Sequence, residues 1–148
     1  MRCLLCLLIA LLIPSAVSAQ VKRIGENSAS GRSAAVVVPG DLPLLHTTQL
    51  LPLGPRGELL GSGDATAQST VVLQQLKDVL RRHNLSLDKV VKLNLAAKNL
   101  PALESFQKSL AAAFGDQSPA VSIVLSDLSH PDALVALDAV AMRKLIES

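Results

Sequence analysis

The most constraining feature of this chain is a change of hydrophobic period in its middle. Between Val72 and Leu80 the apolar residues are Val72, Leu73, Leu76, Val79 and Leu80, with Gln74, Gln75, Lys77, Asp78, Arg81 and Arg82 around the other side. That spacing is one face of an α-helix. From Val90 to Ala96 the period shortens to two, with Val91, Leu93 and Leu95 alternating against Lys92 and Asn94, which describes a strand covered on one face. A chain that does both must pack helix on sheet. The switch then recurs. Leu103, Phe106, Leu110 and Phe114 predict a second helix from about Pro101 to Phe114, closed by Gly115. Val121, Ile123 and Leu125 predict a strand, and after the turn Ser129-His130-Pro131-Asp132 so do Val135, Leu137, Ala139 and Ala141. Asp64 is suited to cap the first helix and Asn84 to stop it, while Arg81 and Arg82 complement the dipole of its last turn.

Upstream, Ser33–Val38 is a short β-branched run, Pro39-Gly40-Asp41 is a turn signal, and Leu44–Leu50 is again extended in character. These two runs predict a hairpin. Pro52–Gly57 reads as a loop and Glu58–Leu60 as at most a short edge strand. The predicted order is ββ(β)αβαββ, an α+β fold with a mixed β-sheet and two helices on one of its faces.

Residues 1–19 read as an address. Arg2 precedes an apolar run from Cys3 to Ile13, Pro14 breaks it, and Val17 and Ala19 are the small residues that cleavage after Ala19 requires. The run is short for a spanning helix, which needs roughly 20 residues, so no stable membrane anchor is expected once the signal is removed. Export to the periplasm or the medium is. Removing residues 1–19 from 148 leaves 129 and takes both cysteines, Cys3 and Cys6, away. The expected division is a signal peptide at 1–19, an extended segment at 20–32, one domain at 33–142 and a tail at 143–148.

Composition narrows the ligand class. There is no Trp, no Tyr and only Phe106 and Phe114 among aromatics, so recognition by base stacking is disfavoured. Fourteen Lys plus Arg against twelve Asp plus Glu leave a net charge of +2 without a basic block. A nucleic-acid partner is not expected.

Four stretches resemble one family. Gly63-Asp64 followed by Ala67-Gln68 is similar to a GDxxAQ helix start, and Leu85-Ser86-Leu87-Asp88-Lys89-Val90-Val91-Lys92 to LSLDDVVK. Ser118-Pro119-Ala120 stands where a PARS strand begins, and Asp132–Ala141 is similar to DALVEIEAVA. Together, in order, they resemble the RidA/YjgF family, the reactive intermediate deaminases. The resemblance implies a chorismate-mutase-like protomer and a homotrimer, with sheets forming an inner barrel and small-molecule clefts between subunits. It also implies a site whose parts this chain lacks. The PARS arginine, which holds the substrate carboxylate, is replaced by Val121. The glutamate of the EIEA ending is replaced by Ala136, and the tyrosine of the first strand by Arg32. The glycine of an SGQ strand is replaced by Thr48, while Gln49 is retained.

Val121 offers no donor to a carboxylate and Ala136 no acid or base, so imine hydrolysis loses both its clamp and its proton carrier. No catalytic residue is assigned. The candidate ligand cleft comprises Arg32, Thr48, Gln49, Val121 and Ile123, with Arg32 able to supply a cation from another direction. His46, His83 and His130 fall on a predicted strand, a helix end and a turn, so no metal site is expected, and no cofactor either. Three readings stay open: a ligand-binding family member without deaminase chemistry, a 2-iminobutanoate/2-iminopropanoate-type deaminase with a rearranged site, and a structural or chaperone-like protein.

Overall fold

The computed structural model describes residues 21–27 and 29–143. The signal segment expected at 1–19, and all of the tail beyond Arg143, lie outside the described residues. The elements are β1 (Lys22–Ile24), β2 (Ala35–Val37), β3 (Leu44–His46), α1 (Ala65–Arg82), β4 (Val90–Ala97), α2 (Leu100–Phe114), β5 (Ala120–Leu125) and β6 (Val135–Met142), with a single 3-10 turn, Leu87–Lys89, before β4.

β3, β6, β4 and β5 form one sheet in that spatial order. β4 and β5 are parallel, as a helix crossover permits, while β6 is antiparallel to both β4 and β3. Both helices pack on the same face. There Val72, Leu76, Leu80, Phe106 and Leu110 meet Leu93, Leu95, Val135, Leu137 and Ala139 in one buried cluster. Both phenylalanines join a core that is otherwise aliphatic.

The helix ends follow from side-chain chemistry. The Asp64 carboxylate accepts from the amides of Thr66 at 2.9 Å and Ala67 at 3.0 Å. At the other end Asn84 adopts a φ of 56°, and the Leu85 and Asn84 amides donate to the carbonyls of Leu80 and Arg81. This is the paired closure that a left-handed residue after the helix allows. Asn99 caps α2 through the Ala102 amide at 2.9 Å, so the helix begins at Leu100, one residue ahead of the predicted start, and Gly115 closes it at a φ of 52°. Gln68 is fully buried within the first turn of α1, where its Oε1 accepts from the Leu134 amide at 2.7 Å and its Nε2 donates to the Asp132 carbonyl at 3.2 Å. It ties α1 to the start of β6.

The predicted hairpin does not form. β2 pairs antiparallel with β1, inside the segment expected only to be extended, and β3 pairs with β6 at the other end of the chain. The reason is burial: on β6, Leu45 lies opposite Ala141 and packs against the core, a gain that pairing with the exposed β2 does not offer. The first three strands are thus β1, β2 and β3, and Leu59 makes only an isolated bridge with Leu53.

The open face of the sheet is mixed rather than aliphatic. Asn94 donates to the Asp138 carboxylate at 2.7 Å, and Lys92 to the Ser122 hydroxyl, among exposed Leu44 and Val124. Among the described residues no helix is long and apolar enough to cross a membrane.

Candidate functional site

Arg32 is carried by a loop that the fold holds at three points. Asn27 and Arg32 exchange backbone hydrogen bonds of 2.9 and 3.3 Å, closing the loop on itself. Gly31, at a φ of 64°, is buried against α2, where a Cβ would stand 2.7 Å from the backbone of Ala111. Only glycine combines that dihedral with that approach. Ser33 then bridges the start of β5: its amide donates to the Pro119 carbonyl at 2.8 Å and its hydroxyl to the Ser118 carbonyl at 2.6 Å.

The result is a cavity of about 330 Å³ lined in part by Asn27, Ser30, Arg32, Ser33 and Val121. Arg32 also lines an adjoining cavity of about 290 Å³ beside Glu104 and Lys108 of α2. No carboxylate lies within ion-pair distance of Arg32 among the described residues. A half-buried guanidinium without an acid partner suits an anion, above all a carboxylate that it can grip with two donors. No Asp, Glu, His, Cys or Tyr is among the described residues that line the Val121 cavity, so that wall supplies no general base within hydrogen-bond reach.

Ile123 follows Val121 on the same face of β5, half-buried and packed against the core. The other site candidates lie elsewhere in the protomer. Ala136 pairs with Ala96, which places it on the opposite face of the sheet from Val121, and it is fully buried. Thr48 and Gln49 follow β3, at the far edge of the sheet from β5, about 14 Å away at three strand spacings. They occupy a bulge. Between the pairs His46–Val140 and Leu50–Leu137 the β3 side holds one residue more than β6, and Thr47 fills the gap by accepting from the Ala139 amide at 2.9 Å. Thr48 and Gln49 are left exposed.

His46 is exposed on β3, His83 ends α1, and His130 accepts from the Asp132 amide at 3.2 Å inside its turn. Among the described residues no three His, Cys, Asp or Glu side chains gather to hold a metal.

Sequence reasoning missed Asn27, Ser30 and Gly31 as parts of this site because they fall in the polar segment expected only to be extended, and Ser33 because it opens a run that reads as a strand. The signal available was the pair Gly25 and Gly31, both at a φ of 64°, which bracket a built loop rather than a free one.

Known proteins share this architecture. A Yersinia pestis protein of the Rid family, solved by crystallography, superposes with a TM-score of 0.69 at 29% identity, covering 78% of this chain and 89% of that one. A putative endoribonuclease of Thermotoga maritima gives a TM-score of 0.63 at 26% identity, covering 83% and 98%. In sequence, the 3-aminoacrylate deaminase RutC of Acinetobacter baylyi is 28% identical over 98 residues, 66% of this chain and 78% of its own. The family model described as endoribonuclease L-PSP matches residues 27–143, from the Arg32 loop to the end of β6. This chain therefore belongs to the endoribonuclease L-PSP family, the RidA/YjgF proteins that its four sequence stretches resemble.

Proposed function

We propose that this chain is an exported family member that binds a small carboxylate ligand in clefts between three copies, without the imine and enamine hydrolysis of active relatives. One observation carries the reading: Arg32 and Val121 share a cavity whose described lining offers a cation and hydroxyls but no acid or base. An ion of opposite charge is favoured there, and proton transfer is not. The separation of Arg32 from Thr48 and Gln49 supports the assembly. A head-to-tail contact that sets the β3 edge of one copy beside the β5 edge of the next brings both groups to one cleft, and such contacts close into a ring when three of them complete a full turn. Export rests on the Arg2 start, the apolar run and the small residues at Val17 and Ala19.

The test pairs two measurements on the purified protein. With 2-aminoacrylate generated in place, no ammonia above the uncatalysed rate is expected. Titration with 2-oxobutanoate is expected to saturate, and Arg32→Ala to weaken it about tenfold. Equal binding by both proteins removes Arg32 from the site.

Catalysed ammonia release supports the second reading, an imine or enamine deaminase with a rearranged site. That reading is favoured by the similarity to a protein named as a 3-aminoacrylate deaminase.

A further inference from the structure

A larger cavity, about 660 Å³, lies between the Pro52–Leu60 loop and the outer side of α1, and shares no lining residue with the Arg32 site. Its walls are fixed. The Gln75 side chain donates to the Leu53 carbonyl at 2.7 Å, tying the loop to the helix, and the Leu60 amide donates to the Pro52 carbonyl at 2.8 Å. Leu53, Pro55, Leu60 and Val71 give it apolar surface, with Leu60 still 36% exposed.

The polar groups along it are already engaged, with one exception. Thr70 donates its hydroxyl to the Thr66 carbonyl, Gln74 donates to Asp78, and Asp78 also accepts from Arg81 at 3.0 Å. Glu58 in the loop accepts from the Arg56 amide. Arg82, which lines the cavity, makes no ion pair among the described residues, because the acid of its turn is held by its neighbour Arg81. Thr70 and Arg82 stand about 18 Å apart along the helix axis. The groove is therefore long, apolar and positive at one end.

We propose that this groove binds an unbranched aliphatic carboxylate, with the chain along Leu53, Leu60 and Val71 and the carboxylate on Arg82. Apolar contact along preformed walls supplies affinity, and the Arg82 guanidinium in the lining sets polarity and direction. The site is independent of the cleft at Arg32, so either can fail without the other.

The experiment is an amide-resolved NMR titration of the whole chain with decanoate below its micelle threshold, decanol below its solubility limit, and butanoate. Decanoate is expected to saturate, with shifts concentrated in residues 53–60 and 70–82. Decanol is expected to bind about tenfold more weakly, and butanoate not to saturate in the same range. Arg82→Gln should bring decanoate down to the affinity of decanol at an unchanged melting temperature. Lys77→Gln, which removes a cation of the same helix outside the lining, should leave it alone. Equal affinity for decanoate and decanol, shifts centred on Val121, or contacts from residues 3–13 to Leu60 and Val71 each overturn the proposal, the last by showing that the chain's own apolar run fills the groove.

Discussion

The two faces of the sheet are built from alternate residues of the same strands, yet they do different work. On the covered face Leu93, Leu95, Leu137 and Ala139 close with the helices into a cluster that water does not reach. On the open face Asn94 meets Asp138 and Lys92 meets Ser122, while Leu44 and Val124 remain exposed. The difference separates two kinds of information. The covered face determines whether the protomer folds, and the open face and edges determine what it meets. Arg32 stands where the two join, on a loop anchored to α2 and to the start of β5.

Leu95→Ala is the strongest way to test that division. Leu95 is 1% exposed in the centre of the cluster, so truncation removes apolar burial and leaves a cavity, a cost of about 3 kcal/mol in denaturant unfolding. Gly31→Ala comes next, at about 2 kcal/mol, because the new methyl group meets Ala111 at a dihedral that alanine disfavours. It should also weaken 2-oxobutanoate binding by moving Arg32. A Gly31→Ala protein of unchanged stability and binding shows that the loop is not held at this point.

Val124→Asp probes the other face. Val124 is exposed in the protomer, and a surface change of this kind alters unfolding by less than about 0.5 kcal/mol. If three copies assemble through their open faces, the added carboxylate is buried without a partner and the assembly loosens. Sedimentation should then show a lighter species for the variant than for the parent. Identical sedimentation removes this face from the contact.

Much of this division is legible in the sequence, for a physical reason. Alternation in β4 and the helical spacing of Val72–Leu80 are local consequences of burial, and Asp64, Asn84 and Gly115 act within a few residues of themselves. The failed hairpin marks where local reading stops. Leu44–Leu50 has extended character whichever strand it pairs with, and only the aliphatic row of β6 decides the partner. The site divides in the same way. Val121 and Arg32 stand out because a family pattern specifies what should occupy their positions. The loop between Asn27 and Arg32 owes its shape to Ala111 on α2, a contact no local pattern encodes. The separation of Ala136 from Val121 likewise follows from strand register, which has to be seen.

A pH-dependent effect lies at the edge of the covered face, in the turn that leads into β4. Arg23 of β1 donates to the Asp88 carbonyl at 2.7 Å, while the Asp88 carboxylate accepts from Lys89 and Ser86. Partial burial pushes this carboxyl up, but the hydrogen bonds from Lys89 and Ser86 and the charge of Lys89 outweigh it, leaving it below the ordinary value of 3.8. A carboxyl lowered by folding stabilises the protein fully above its unfolded value and loses that contribution as pH falls through the folded one. The stability difference between the parent and Asp88→Asn should therefore be flat from pH 7 to about 5 and shrink below about pH 4. Its full size should stay under about 1 kcal/mol, as for a solvent-accessible pair. A difference that instead grows as pH falls through that window reverses the sign and removes the Lys89 and Ser86 contacts as its cause.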